Sequence, residues 1–258
     1  MIAAGQRIEA RRFGPAAQPL RVVLLHEGLG SLAAWRDFPA RLARRIDEPV
    51  LVYSRPGYGE SSPPAQRDAG FMHHEAQVVL PAVLQAFNIS EPILIGHSDG
   101  GSIALIHAGS HGECAGPRHA SHRPPAGVAV MAAHLFVEDV TVEEIAKISS
   151  GFETSGLATR LARYHRDAAA TFRSWSDVWL SEGFRQWSIE AEVAAIQCPL
   201  LAIQGEADQY GTAHQLHRIV ELCRHSKALM LPACRHSPHL DQPEAVLAAL
   251  TAFIAGLG

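Results

Sequence analysis

Residues 92–105 read Pro92-Ile93-Leu94-Ile95-Gly96-His97-Ser98-Asp99-Gly100-Gly101-Ser102-Ile103-Ala104-Leu105: an apolar run, a serine between two glycines, then a helix-forming run. A serine that leaves a strand and enters a helix in a G-x-S-x-G setting is a nucleophile elbow. The turn is so tight that the positions two before and two after the serine crowd its backbone, and glycine at both removes the Cβ atoms that would clash. The Ser98 hydroxyl is then lifted clear of the sheet, within reach of a substrate carbonyl. With 21 glycines in 258 residues and serine at ~6%, the pentad arises by chance about 0.1 times in such a chain. Its strand and helix flanks, rather than the pentad alone, therefore carry the reading.

Outward from this turn, strand-like runs alternate with helical patterns almost from end to end. Gln6 to Arg12 alternates polar and apolar residues as a half-exposed edge strand does. Arg21–His26, Val50–Tyr53, Ile93–Ile95, Val128–Met131, Leu200–Ile203 and Ala228–Leu231 are apolar runs suited to buried parallel strands. Helical patterns fall at about 35–45, 71–87, 100–109, 212–224 and 243–255. The expected fold class is α/β, a mostly parallel sheet with helices on both faces. Two segments break the rhythm. Residues 111–125, rich in Gly, Pro and His, read as a surface loop. Between the strands near Ala132 and Leu200, more residues intervene than one crossover helix needs. Residues 134–193 are read as a helical cap, with 1–133 and 194–258 as the core domain; the plainer alternative is two crossover helices with a long loop.

A serine hydroxyl needs a base to attack an ester, and the base needs an orienting acid. In a sheet with this elbow the acid and then the base follow the serine in chain order. Asp208 lies in Gly205-Glu206-Ala207-Asp208, just past one strand end, and His236 lies in the loop between the last strand and the last helix. Ser98, Asp208 and His236 then share the carboxyl-end face of the sheet, where sites gather in open α/β folds. His239 in the same loop competes with His236. Glu206, Glu138 and Asp139 compete with Asp208.

Together these features resemble the α/β-hydrolase superfamily, serine hydrolase branch, over essentially the whole chain. The resemblance implies the α/β-hydrolase fold with a helical cap insertion. Gly205–Asp208 matches the family's G-x-x-D turn, and His236 through Pro243-Glu244 matches its G-H-x-x-x-x-E-x-P-E segment, which favours His236 over His239. Arg235 stands where the family usually has Gly, and Asp241 where it often has Glu. Ser54-Arg55-Pro56-Gly57-Tyr58-Gly59-Glu60-Ser61 resembles the family's D-R-x-G-x-G-x-S turn, with Ser54 in place of Asp, and is taken as structural support. An oxyanion hole is implied from the N–H groups of Asp99, after the nucleophile, and Gly28, third residue of the segment matching the family's H-G-x motif, with Leu29 as the fallback. Glu27 replaces the usual glycine there and brings a carboxylate near the site, either to bind a polar substrate group or to face solvent.

Trp175, Trp179 and Trp187 fall in the expected cap, where tryptophans either pack a lid on a sheet or wall an apolar substrate. With Glu27 and Leu29 they complete the candidate substrate-binding residues. His165 and Tyr164 are read as pocket or surface residues, and His73-His74 as a solvated helical face. His107, His111, Cys114, His119 and His122 match no ligand spacing, so no metal site is expected, and no cofactor. The net charge of −4 and pI near 6.4 give no case for nucleic acid or acidic membranes. No run is long and apolar enough for a membrane span, and the amino end lacks the apolar core of a signal peptide. Cys114, Cys198, Cys223 and Cys234 are far apart, which suits reduced thiols and a cytoplasmic location. The expected partner is a small-molecule ester or related acyl substrate, with the oligomeric state left open. The leading expectation is a carboxylic ester hydrolase. The alternatives are a carbon–carbon bond hydrolase of ring-cleavage products and a non-catalytic small-molecule receptor on the same fold.

Overall fold

The computed structural model describes residues 1–63, 67–110 and 123–257. Most of the 111–125 loop, with His111, Cys114, His119 and His122, lies outside the described residues. A two-stranded ribbon, β1 (Ile2–Ala3) with β2 (Gln6–Arg7), precedes β3 (Glu9–Phe13), β4 (Val22–Leu25), β5 (Val50–Ser54), β6 (Ile93–His97), β7 (Gly127–Met131), β8 (Leu200–Gly205) and β9 (Ser226–Leu231). The last seven form one sheet in the order β3-β5-β4-β6-β7-β8-β9. Only the edge strand β3 runs antiparallel to its neighbour. Every residue of β4, β5, β6, β7 and β8 is buried, because helices cover both faces.

The two-residue period of the strands sorts side chains into two cores. Val23, Leu25, Leu51, Tyr53 and Leu94 pack with Ile103 and Leu105 of α4 (Asp99–Gly109). Val22, Leu24, Val50, Val52 and Ile95 pack with Phe38 and Leu42 of α1 (Phe38–Ile46) and with Val246, Leu247 and Leu250. From β4 the chain moves outward through α1 to β5, then crosses back to β6 on the other side of β4. The strand order therefore reverses beside β4 and β6, and such a reversal opens a crevice at the carboxyl ends. The His26–Gly30 loop and Ser98 lie at those ends. The helical pattern over 71–87 becomes α2 (Phe71–His74), a π-helical stretch (Glu75–Val79) and α3 (Leu80–Ala86). His73, read as solvated, contacts Glu192 at 2.9 Å.

Between β7 and β8 come α5 (Asp139–Ser150), α6 (Leu157–Leu161), α7 (Ala168–Trp179) and α8 (Glu190–Ala194). The ends of this insertion are tied at its neck, where the Ile189 N–H donates to the Leu135 carbonyl at 2.8 Å and Phe136 bridges Ser188. α8 crosses the expected boundary at 193/194. A Cβ on Gly109 would lie 2.2 Å from the Glu192 carbonyl oxygen, so α8 packs against α4 as part of the core layer. Among the described residues, no helix is long and apolar enough to cross a membrane. The chain is completed by α9 (Ala213–Leu222), α10 (Pro238–Asp241) and α11 (Pro243–Ala255).

Candidate active site

Ser98 sits at φ 51° and ψ −121°, in a region L side chains avoid. Close packing enforces the turn. A Cβ on Gly96 would lie 2.2 Å from the Gly100 carbonyl oxygen, and one on Gly100 would lie 2.1 Å from that of Leu25. The Ser98 N–H is tied to the Met131 carbonyl at 2.9 Å. Asp99, the first residue of α4, has an N–H with no acceptor inside the helix, as the geometry of a helix start dictates.

The loops after β8 and β9 interlock. A Cβ on Gly205 would lie 2.2 Å from the Cys234 carbonyl oxygen, and the Ala207 N–H donates to that oxygen at 2.9 Å. Their contact brings His236 Nδ1 to 2.8 Å from Asp208 Oδ1 and 2.9 Å from Oδ2, while His236 Nε2 lies 3.0 Å from Ser98 Oγ. A carboxylate accepts, so Nδ1 carries the proton and Nε2 is left to accept from the serine hydroxyl. Asp208 also accepts from the Tyr210 N–H at 2.8 Å and the Gln204 amide at 2.7 Å. Burial opposes its ionisation, but the hydrogen bond and charge of His236, with the Tyr210 N–H and His134, hold the carboxyl below its ordinary value.

The competing residues have other partners. Glu138 accepts from the Thr212 N–H at 2.9 Å and hydroxyl at 2.6 Å, at the start of α9, and Asp139 pairs with Arg185. Glu206 is exposed. His239 is buried between Trp35 and Phe38, with ring centroids 4.7 and 5.5 Å away, and burial pushes its imidazole down to about 3. The two departures from the family pattern pair with each other: the Arg235 N–H donates to Asp241 at 2.9 Å, and its guanidinium reaches the same carboxylate at 3.2 Å. Ser54 donates to Glu9 at 2.6 Å and accepts from the Leu32 N–H, bracing the turn at Gly57–Gly59.

Above Ser98 lies a cavity of about 170 Å³, lined by Glu27, Gly28, Leu29, Asp99 and His236, and from above by Thr141, Ile145, Trp175 and Trp179 of the helical insertion. α7 rests directly on the loop after β4: a Cβ on Gly28 would fall 2.1 Å from Trp175 Nε1. Trp187, expected on the substrate wall, does not line the cavity. It stacks on Phe184 at 5.1 Å, inside the insertion's own aromatic core. His134 and Tyr210 also line the cavity and were not anticipated. Each follows a strand on the carboxyl-end face, His134 after β7 and Tyr210 two residues past Asp208, and that position was the available signal. Burial pushes the His134 imidazole down to about 4, with the nearby His236 acting in the same direction.

Glu27 is the main surprise. His97 Nε2 lies 2.7 Å from the His236 carbonyl, which only accepts, so Nε2 bears a proton. Its Nδ1 then faces Glu27 Oε2 at 3.4 Å. Burial works against His97 protonation, yet Glu27 carries the imidazole above its ordinary value. Burial likewise opposes Glu27 ionisation, and His97 holds that carboxyl well below the usual carboxylate range. Both directions favour the charged forms, His97 as imidazolium beside Glu27 as carboxylate. Asp99 behaves differently: burial raises its carboxyl, and the equally buried Arg55, 3.8 Å away, only partly offsets this.

Among the described residues no group of three His, Cys, Asp or Glu side chains is arranged to hold a metal ion. His165, read as a pocket or surface residue, is buried and fully bonded: its Nδ1 accepts from the Gly59 N–H at 3.0 Å, and its Nε2–H donates to the Leu29 carbonyl at 2.9 Å.

A curated relative from Enterobacter sp. (strain 638), a 2-succinyl-6-hydroxy-2,4-cyclohexadiene-1-carboxylate synthase, is 27% identical over 243 residues, covering 89% of each chain. Among solved structures, the enol-lactonase from Burkholderia xenovorans superposes with a TM-score of 0.74 at 18% identity, covering 98% of both chains. The thermophilic esterase from Thermogutta terrifontis superposes with a TM-score of 0.72 at 16% identity, covering 98% of this chain and 94% of that one. Residues 22–249 match the model of the alpha/beta hydrolase family, and the chain belongs to that family.

Proposed function

We propose that this chain is a cofactor-independent serine hydrolase of small or medium carboxylic esters, with Ser98 as nucleophile, His236 as general base and acid, and Asp208 as the residue that orients the imidazole. The observation that carries the reading is the continuous chain of contacts from Asp208 through His236 to Ser98 Oγ, opening into a largely apolar cavity. Ser98 Oγ attacks the ester carbonyl carbon as its proton passes to His236 Nε2. The carbonyl oxygen, now an oxyanion, receives the N–H groups of Gly28 and Asp99. Collapse breaks the ester C–O bond, and the leaving alkoxide takes the proton from His236. A water molecule then gives its proton to the same nitrogen, attacks the acyl-enzyme and releases the carboxylic acid, restoring Ser98. Asp208 fixes the tautomer and stabilises the transient imidazolium. Residues from His134 to the neck at Ile189 act as the cap, closing on substrate through Trp175 and Trp179. Free thiols at Cys198, Cys223 and Cys234 support a reducing, cytoplasmic setting.

The synthase relative forms a product whose name contains a succinyl arm and a ring carboxylate. Among the described residues no lysine or arginine lines this cavity to receive such groups, which favours ester hydrolysis over that reaction. The test is a chain-length series of chromogenic esters on wild type and Ser98→Ala, with fluorophosphonate labelling. Turnover and labelling that both vanish in Ser98→Ala are expected. Wild-type activity in that variant would reject the nucleophile, and a folded wild type that neither turns over esters nor takes the label would favour a receptor.

A further inference from the structure

The wall of the cavity above Ser98 is electrically one-sided. The Glu27 side chain is 28% exposed, whereas His97, its counter-ion, is 1% exposed and lies behind it. Glu27 is the member of the pair that lines the cavity, and His97 is the buried one. A Cβ on Gly30 would meet Glu27 Oε2 at 2.3 Å, so Gly30 leaves the space the carboxylate occupies. The Glu27 main-chain carbonyl is held by Arg55 at 2.9 Å and by His26 Nδ1 at 2.8 Å. Arg55 is itself completely buried beneath the loop, and the remaining wall is mainly apolar, with Leu29, Ile145, Trp175 and Trp179.

We propose that Glu27 sets the charge class of the substrate: the site accepts esters whose acyl part is neutral or cationic and rejects those that bring a carboxylate into the cavity. The proposal rests on the serine hydrolase reading and names its substrate class. A carboxylate entering so small a space loses its water, finds no lysine or arginine among the described residues of the wall, and meets the Glu27 carboxylate. A cation or an N–H donor gains a partner there. His134, on the same wall, is kept neutral near pH 7 by burial and offers no compensating charge.

The test uses three 4-nitrophenyl esters of closely matched acyl length: the butyrate, the carboxylate-ended hemisuccinate and the ammonium-ended β-alaninate. In wild type, kcat/KM for the hemisuccinate is expected to lie at least about tenfold below that of the butyrate, and the cationic ester to match or exceed the butyrate. Glu27→Gln should shrink the neutral-to-anionic ratio by about tenfold. An unchanged ratio in the folded variant, or a wild type that hydrolyses all three alike, overturns the proposal. The wild-type series stands alone if Glu27→Gln does not fold. A second arm needs no turnover: quenching of tryptophan fluorescence by butanamide and by succinamate in Ser98→Ala, with and without Glu27→Gln. Trp175 and Trp179 line the cavity and report its occupancy. Butanamide should bind both proteins, and succinamate only the one carrying Glu27→Gln. If no ester is hydrolysed, the hydrolase reading fails while this arm still decides the role of Glu27.

Discussion

Ser98 holds its hydroxyl in place at a conformational cost. A non-glycine residue at φ 51° and ψ −121° stores about 1–3 kcal/mol of strain, relieved only by losing the Cβ. Ser98→Ala keeps the strain and removes the proposed nucleophile, so the proposed esterase turnover should fall by about 10⁴- to 10⁶-fold with the fold intact. Ser98→Gly should lose as much activity yet melt no lower than Ser98→Ala, although glycine ordinarily costs about 1 kcal/mol relative to alanine. Paired thermal denaturation decides this, and a clearly lower Tm for the glycine variant would refute stored strain at the elbow. Asp208→Asn disturbs the tautomer of the proposed base, His236, rather than removing it, so kcat should fall by about 10²- to 10⁴-fold. Glu138→Gln should leave kcat near wild type, because Glu138 bonds the start of α9 rather than His236. A larger kinetic loss from Glu138→Gln than from Asp208→Asn would move the acid to the earlier strand. The positions of Ser98, Asp208 and His236 were readable because each occupies a turn whose chemistry is local. The closeness of Glu27 to His97 was not readable. It depends on Gly30 vacating space and on the His236 carbonyl fixing a tautomer, two contacts between loops far apart in sequence.

At the level of elements, the parallel strands were legible because strands buried on both faces become unbroken apolar runs, and β4 to β8 are buried throughout. The π-helical stretch at Glu75–Val79 was hidden, since one extra residue per turn leaves the apolar spacing almost unchanged. The edge of the helical insertion was misplaced for a similar reason: α8 has only five residues, and nothing local says that Glu192 will press against Gly109. The attachment of the insertion is more informative. His165 lies between α6 and α7 and joins two core loops at once, the one after β4 through Leu29 and the one after β5 through Gly59. Replacing it with leucine leaves the buried Gly59 N–H and the part-buried Leu29 carbonyl without these partners, the buried N–H alone costing about 1–3 kcal/mol. In His165→Leu, hydrogen exchange should accelerate in residues 157–179 and at Gly59 while β4 to β8 stay protected, and KM should rise more than kcat falls. Uniform acceleration across sheet and insertion would mean that the two melt together and that His165 is ordinary core.

Over the whole molecule, buried titratable groups pull stability in opposite directions as the pH falls. His26, His134, His165 and His239 all have imidazoles lowered chiefly by burial, so below about pH 6.5 the unfolded chain binds protons that the fold refuses. These four lose stability with acid. His97 is raised by Glu27 against the opposing pull of burial, and Glu75 and Asp99 are raised by burial, so these three gain as the pH falls through the range between unfolded and folded values. The overall profile is therefore a partial cancellation, and a single substitution exposes one contribution. His239 is the cleanest: its ring packs on Trp35 and Phe38, its Nδ1 is buried without a hydrogen-bond partner, and its imidazole is pushed down to about 3. His239→Phe keeps the aromatic packing and removes the proton site. Near pH 7.5 the variant and wild type should have similar urea midpoints. From about pH 6 to pH 4 the variant should gain on wild type by roughly 1 kcal/mol per pH unit, because only wild type must exclude a proton that its unfolded chain would bind. A constant difference across that range would show that His239 titrates alike in both states, and a difference that shrinks with acid would mean that its imidazolium is stabilised in the fold by Glu27.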